Sequence, residues 1–180
     1  MPRGHPAVLA TLVSGAGKTA AAVAVTRRLA RLPETAGIRV LNIGTAGGLR
    51  DDCPELVRPS QAWAWDLDAQ SLTALGIPVE DRLPLESGDG PVIATGDTLV
   101  AAEELREVLR RQACVVDMEC FAVVSACRSF GVPVQSLKWI SDRAAAAAAR
   151  RWVGSVDRGA QVIGEATRTL LDGAPATALL

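Results

Sequence analysis

Short apolar runs of strand length alternate along the chain with longer stretches that have helical spacing. The runs that predict buried strands are Ala7–Val13, Ile38–Ile43, Pro91–Ala94, Ala113–Val116 and Pro133–Ile140, with weaker strand signals at Leu56–Val57 and Ala62–Leu67. The stretches that predict helices are Thr19–Leu32, Glu103–Gln112, Glu119–Phe130 and Trp152–Leu171. Such alternation is typical of an α/β fold with both faces of the sheet covered. We therefore predict a three-layer α/β/α sandwich around a central mixed sheet, with residues 1–180 as a single domain.

Small residues and carboxylates gather where the predicted strands end. Three loops rich in small residues, Gly44–Gly48, Gly96–Leu99 and Ser141–Arg143, follow predicted strands, and Asp117-Met118-Glu119 joins a strand to a helix. Ligands of open α/β sheets bind beyond the carboxyl ends of the strands. We therefore expect these four segments to surround one small-molecule site.

The charge balance excludes several classes of partner. The chain has 19 basic and 20 acidic side chains, a formal net charge of −1, which gives no general attraction to nucleic acid or to a membrane surface. No apolar run reaches the roughly 18 residues that a membrane span requires. The four cysteines, Cys53, Cys114, Cys120 and Cys127, lack the spacing of a metal site, and we interpret them as buried free thiols. We predict a cytoplasmic protein without a metal or cofactor.

A glycine-rich turn at Ser14-Gly15-Ala16-Gly17-Lys18-Thr19 is similar to a phosphate-binding P-loop. That motif requires a glycine five residues before the glycine of the Gly-Lys pair, and Leu12 occupies the position here. The loop is too short to wrap a triphosphate, although its amides could hold one small anion. We interpret it as a tight turn that needs glycines for steric reasons.

Five segments in order give the chain a family resemblance over nearly its whole length, from about Val8 onward. They are Ser14-Gly15-Ala16-Gly17-Lys18, Asn42-Ile43-Gly44-Thr45-Ala46-Gly47-Gly48-Leu49, Thr95-Gly96-Asp97, Val116-Asp117-Met118-Glu119 and Ile140-Ser141-Asp142. The set resembles the nucleoside phosphorylase and nucleosidase superfamily, and more closely its methylthioadenosine/S-adenosylhomocysteine nucleosidase branch. The resemblance implies a small-molecule nucleoside as substrate and a homodimer or higher homo-oligomer.

The same resemblance implies roles for individual residues. Glu119 is similar to the carboxylate that binds the ribose hydroxyls, and Met118 to the residue that packs against the sugar. Asp142 is similar to the acid that protonates the purine at N7, with Ser141 orienting it. The other positions that the resemblance places at the substrate are Thr45, Ala46, Gly47, Leu99, Val100 and Lys138.

Elementary chemistry agrees with the two carboxylate roles. Cleavage of a glycosidic bond passes through an oxocarbenium-like state, which is stabilised by protonating the leaving group and by holding negative charge near the sugar. Each residue also has a structural interpretation: Glu119 suits the first turn of a helix, and Asp142 suits an N-cap. Only the joint occurrence of the motifs favours the functional interpretation.

Departures from the family pattern leave alternatives open. Longer nucleosidases carry an N-terminal strand with a water-activating glutamate. We expect this chain to lack that strand, in which case Asp51, Asp52 or a carboxylate of a partner subunit would substitute. Lys138 and Leu99 stand where many relatives have arginine and phenylalanine. Phosphorylases place an arginine where Asn42 stands, so we expect hydrolysis. Relatives with Asp at the position of Asp142 act on aminopurines, so the resemblance implies a purine nucleoside of the adenine type and a role in purine salvage. A phosphorylase and a nucleoside-binding protein without catalysis are the alternatives.

Overall fold

The computed structural model describes residues 10–86, 89–142, 148–173 and 178–179. Its helices are α1 Lys18–Leu29, α2 Ala69–Ala74, α3 Glu103–Leu109, α4 Cys120–Arg128 and α5 Ala148–Gly173. Its strands are β1 Ile38–Gly48, β2 Leu56–Val57, β3 Gln61–Ala64, β4 Arg82–Pro84, β5 Val92–Thr95, β6 Val115–Asp117, β7 Val134–Asp142 and β8 Ala178–Leu179. No helix among these residues is long and apolar enough to cross a membrane.

The strands form one mixed sheet in the order β2-β7-β1-β6-β5-β3-β4, and β8 pairs with the start of β1. β7 runs parallel to β1 along most of its length, while β3, β5 and β6 form a second parallel group. The two groups meet where β1 and β6 pair in antiparallel fashion over only two residue pairs, Gly47 with Val116 and Gly48 with Val115. Together with the flanking helices, this sheet confirms the predicted α/β/α class.

Many of the buried side chains lie beneath two helices: α1, which follows the glycine-rich turn, and α4, which follows β6. α1 carries Ala21, Val25 and Leu29 on one face because they are spaced by four residues, and all three are buried. They belong to one cluster with Val123 of α4 and Val40 of β1. The packing of α1 on α4 therefore fixes the turn before α1 relative to the start of α4.

The structure corrects two predictions at the amino-terminal half. β1 continues through the segment 44–48 that we predicted to be a loop, because β7 and β6 supply backbone partners for these small residues. The predicted strand Ala7–Val13 lies partly outside the described residues, and its described part, residues 10–13, is not a strand. Val13 is 90% exposed, so the apolar run there did not indicate burial.

The cysteines also differ from the prediction. Cys53 and Cys114 form a disulfide with a Cα–Cα distance of 6.1 Å, so the prediction of free thiols is wrong for this pair. The sheet brings them together because the Leu49 amide donates to the Cys114 carbonyl, which places the end of β1 beside the start of β6. Cys120 and Cys127 are buried free thiols as predicted, and burial raises the pKa of each to about 12.

Candidate active site

The junction between β1 and β6 is where the carboxyl ends of the two parallel groups of strands meet. β1 and β7 reach it from one side, and β5 and β6 reach it from the other. A crevice at the ends of parallel strands, where the strand order changes direction, is the usual ligand site of such sheets. The carboxylates Asp117 and Asp142 end β6 and β7, and Glu119 follows β6 by two residues.

Glu119 lies at the N-cap position of α4, half-buried, in the turn that follows β6. Its Oε1 accepts a hydrogen bond of 2.8 Å from the backbone amide of Gly17, a residue 102 positions away in the chain. Burial raises the pKa of the Glu119 carboxyl above its usual value, although the Gly17 amide acts in the opposite direction. One carboxylate oxygen is thus engaged by the protein, and this contact orients the group.

The turn Ser14–Lys18 packs against two acidic loops. Lys18 donates its backbone amide to Asp97 Oδ1 at 2.7 Å, and its ammonium lies 2.5 Å from Asp66 Oδ1. The Asp97 amide donates in turn to Asp66 Oδ2 at 3.1 Å. Gly15 and Gly17 have φ angles of 79° and 89°, which agrees with the prediction of a tight turn that needs glycine.

A buried ion pair lies beneath the turn that carries Glu119. Lys138 Nζ of β7 is 2.9 Å from Asp117 Oδ2, and these side chains are 2% and 1% exposed. Burial lowers the pKa of Lys138, but the charge of Asp117 and its hydrogen bond outweigh burial, so the net shift is upward. In the structure the Lys138 ammonium contacts Asp117, and its predicted contact with the substrate stays a prediction.

Asp142 is the last residue of β7 and is half-buried. Its Oδ2 accepts a hydrogen bond of 2.8 Å from the Ser141 hydroxyl, and the Ser141 oxygen lies 3.4 Å from the Ala46 carbonyl. Asp142 stands opposite Gly47 in the pairing of β7 with β1, after an irregularity at Ala46. The structure therefore brings together Thr45, Ala46, Gly47, Ser141 and Asp142, as the sequence predicted.

The other predicted residues lie in different surroundings. Met118 is half-buried beside Glu119, and Leu99 is 56% exposed on the loop before α3. Val100, the neighbour of Leu99, is 3% exposed and belongs to a core cluster. Of the two candidates for activating water, Asp51 pairs with Arg106 at 3.3 Å and Asp52 with Arg50 at 2.6 Å.

Sequence reasoning missed two features of the site. It interpreted Gly17 and Lys18 as part of a tight turn whose amides could hold a small anion, but it did not predict their contacts with Glu119, Asp97 and Asp66, because these contacts join segments far apart in the chain. It also missed Gly96, where a Cβ atom would lie 2.4 Å from Trp65 Nε1. The motif Thr95-Gly96-Asp97 was noticed, but only the structure shows that the glycine makes room for an indole ring.

Comparison with known proteins identifies a family and curated relatives of this chain. A family model described as the phosphorylase superfamily matches residues 69–174. Aminodeoxyfutalosine nucleosidase from Helicobacter pylori is 33% identical over 108 residues, which make up 58% of this chain and 46% of that protein. The matched segment thus spans about half the length of the curated relative.

Solved structures share the fold over most of the chain. The native futalosine hydrolase of Helicobacter pylori aligns with a TM-score of 0.77 at 26% identity, over 89% of this chain and 78% of that chain. The 5′-methylthioadenosine/S-adenosylhomocysteine nucleosidase of Helicobacter pylori, bound to butyl-thio-DADMe-Immucillin-A, gives 0.76 at 24% identity with the same coverage. The nucleosidase of Neisseria meningitidis with methylthio-immucillin-A gives 0.70 at 23% identity, over 84% of this chain and 75% of that chain.

Proposed function

Because this chain belongs to the phosphorylase superfamily, we propose that it is a hydrolase that cleaves the N-glycosidic bond of a purine nucleoside. The observation that carries the proposal is the placement of two half-buried carboxylates, Glu119 and Asp142, at the junction of β1 with its neighbours. The relatives named aminodeoxyfutalosine nucleosidase and futalosine hydrolase support the reaction type. The same family membership supports cleavage of a nucleoside whatever its base.

The two carboxylates take complementary roles in this proposal. Asp142, oriented by the Ser141 hydroxyl, protonates the leaving base at N7 and so neutralises it as the bond breaks. Glu119, with one oxygen held by the Gly17 amide, offers the other to the ribose hydroxyls. Its negative charge also stabilises the cationic character that develops on the sugar in the transition state.

The remaining predicted residues complete the substrate contacts. We place Thr45, Ala46 and Gly47 below the anomeric carbon because β1 runs beside Asp142 there. Met118 packs against the sugar, and the exposed Leu99 lies against the base, with Val100 behind it in the core. We propose an adenine-type base for this chain, since a similar nucleosidase structure from Helicobacter pylori has 5′-methylthioadenosine in its active site.

Two lysines near the site are already paired with carboxylates, which favours hydrolysis over phosphorolysis. Lys138 is paired with Asp117, and Lys18 with Asp66. Both cations are neutralised by carboxylates of the protein, which weakens their attraction for phosphate. Neutral water, which needs no cationic site, is therefore the nucleophile that we propose.

Release of free base from purified protein tests the proposal directly. Adenosine, 5′-methylthioadenosine, S-adenosylhomocysteine and inosine are incubated with and without phosphate, and the products are separated chromatographically. We expect adenine release that does not depend on phosphate and that is lost in Asp142→Asn. Release only with phosphate would instead establish a phosphorylase.

Absence of release from every nucleoside would contradict the proposed enzyme. In that case, thermal stabilisation by the same nucleosides would identify a binding protein, because a ligand that binds only the folded state raises its stability. We further propose a cytoplasmic homodimer or higher oligomer, which light scattering of the purified protein would test.

A further inference from the structure

The ion pair between Lys138 and Asp117 crosses the junction of the two parallel groups of strands. Lys138 belongs to β7 and stands opposite Gly44 of β1, while Asp117 ends β6 on the far side of β1. A Cβ atom on Gly44 would lie 3.7 Å from Lys138 Nζ, so the lysine side chain passes over the strand at a residue without a side chain. The pair thus links two groups of strands that share only two backbone residue pairs.

Asp117 transmits this link to the start of α4. Its Oδ2 accepts the Cys120 amide at 3.0 Å, and its Oδ1 accepts the Thr95 hydroxyl at 2.7 Å. The Thr95 oxygen itself accepts the Phe121 amide at 3.1 Å. Two amides of the first turn of α4 are therefore held by Asp117 and Thr95. Glu119 lies in the two-residue turn between Asp117 and this helix, so the same contacts determine where its carboxylate lies.

We propose that Lys138 and Asp117 are positioning residues that hold Glu119 in the geometry that binds the ribose hydroxyls. The inference rests on the proposed nucleosidase function and adds to it a determinant of sugar specificity. The pair acts through the turn because its side chains are 2% and 1% exposed and lie beneath Glu119. Loss of Lys138 would leave the Asp117 carboxylate buried without its cation, which forces the turn to rearrange or to admit water.

The preference for ribose over 2′-deoxyribose separates positioning from a general structural role. A displaced Glu119 loses its hydrogen bonds to the ribose hydroxyls and its charge stabilisation of the sugar, which lowers kcat/KM for the ribonucleoside by a larger factor than for the 2′-deoxy analogue, because only the ribonucleoside has the 2′-hydroxyl contact to lose. A purely structural defect lowers kcat/KM for both substrates by the same factor. The measured quantity is therefore the ratio of kcat/KM for adenosine, or 5′-methylthioadenosine if it is cleaved faster, to that for its 2′-deoxy counterpart.

Four variants make the test specific. Lys138→Met should lower the ratio about 10-fold or more, the usual size of a lost hydrogen bond to a charged group. Lys138→Arg keeps the charge and should retain the ratio within about 3-fold. Arg106→Met removes another largely buried cation, on α3, which is paired with Glu103 of the same helix and with Asp51, and it should leave the ratio unchanged. Glu119→Gln sets the ratio expected when the ribose contact itself is weakened.

Each outcome has a defined meaning. An unchanged ratio in folded Lys138→Met would overturn the inference while leaving the nucleosidase intact. If Lys138→Met does not fold, Thr95→Val removes only the hydroxyl that joins Asp117 to α4 and should lower the ratio in the same direction; an unchanged ratio there overturns the inference as well. Wild-type protein that cleaves neither sugar series would reject the proposed function itself.

Discussion

The two carboxylates of the candidate site are held in place by different kinds of structure. Asp142 ends a nine-residue strand, and its backbone follows the ladder that β7 forms with β1. Glu119 lies in a short turn, and its contacts come from Gly17, 102 residues away, and through Asp117 from Lys138. One acid is positioned by regular secondary structure and the other by tertiary contacts.

The difference indicates how each group would respond to mutation. A residue on a paired strand keeps its place when a neighbouring side chain changes, because the backbone hydrogen bonds remain. A residue in a turn keeps its place only while the distant partners are present. We therefore expect the Asp142 role to be sensitive mainly to its own side chain, and the Glu119 role to be sensitive to several residues.

Asp142→Asn should produce the largest loss of activity. The amide cannot donate the proton that the leaving base requires, so kcat should fall by about 10²- to 10⁴-fold, while KM changes little. Steady-state kinetics of base release measures both constants. Full activity of the variant would exclude Asp142 as the general acid.

Glu119→Gln should affect both binding and rate. The variant replaces a charged hydrogen-bond acceptor with a neutral one, so kcat/KM for the ribonucleoside should fall by about 10- to 100-fold. The 2′-deoxy analogue should lose less, because it lacks the 2′-hydroxyl contact but still depends on the negative charge near the sugar. Equal decreases in kcat/KM for the two substrates would show that Glu119 does not bind the 2′-hydroxyl.

Gly17→Ala tests whether Glu119 depends on a distant turn. Gly17 has φ of 89°, and a Cβ atom there would lie 3.1 Å from Asp97 Oδ1, so alanine should shift the amide that Glu119 accepts. Losing one such hydrogen bond should lower kcat/KM by about 2- to 10-fold. Gly37→Ala is the matched control because Gly37 also has a positive φ, 74°, and nothing lies within 4 Å of its added Cβ atom. If kcat/KM decreases by the same factor in both variants, the effect of Gly17→Ala comes from backbone strain and not from the lost contact with Glu119.

The pH dependence of stability should show the smallest effect. Burial raises the pKa of Glu119, so the folded state binds its proton more tightly than the unfolded state does. The free energy of unfolding therefore decreases as the pH rises through the pKa of folded Glu119. Glu119→Gln removes this decrease, so its Tm should exceed that of wild type at pH 8 and approach it near pH 4. A Tm difference between Glu119→Gln and wild type that does not vary with pH would contradict the raised pKa of Glu119.

Much of the fold was predictable because apolar periodicity marks the main elements. The predicted helix Thr19–Leu32 corresponds to α1, and the predicted strand Pro133–Ile140 corresponds to β7. α2 and β4 were missed, since they span only six and three residues and carry little periodic signal. Segment 44–48 misled the prediction because a glycine-rich sequence usually marks a loop, whereas here β7 and β6 supply backbone partners that extend β1 through it.

The sequence predicted the parts of the candidate site that lie within short contiguous motifs, but not the contacts between distant residues. Segments 45–47 and 141–142 were placed together by the order of the strands, and the structure brings them together. The partner of Lys138 was not predictable, because Asp117 lies 21 residues earlier on a strand that is not its neighbour in the sheet. The pairing of Cys53 with Cys114 was not predictable either, because these residues are 61 positions apart and meet only where the end of β1 lies beside the start of β6.

The short ladder between β1 and β6 has a consequence for local motion. Two residue pairs and the hydrogen bond from Leu49 to Cys114 are all the backbone pairing described between these strands. Regions held by few hydrogen bonds open at low free-energy cost without unfolding their surroundings. In amide hydrogen exchange, this ladder would therefore lose protection before the long β1–β7 ladder. A nucleoside that bridges Glu119 and Asp142 would slow the exchange by acting as an additional crosslink between the two halves of the sheet.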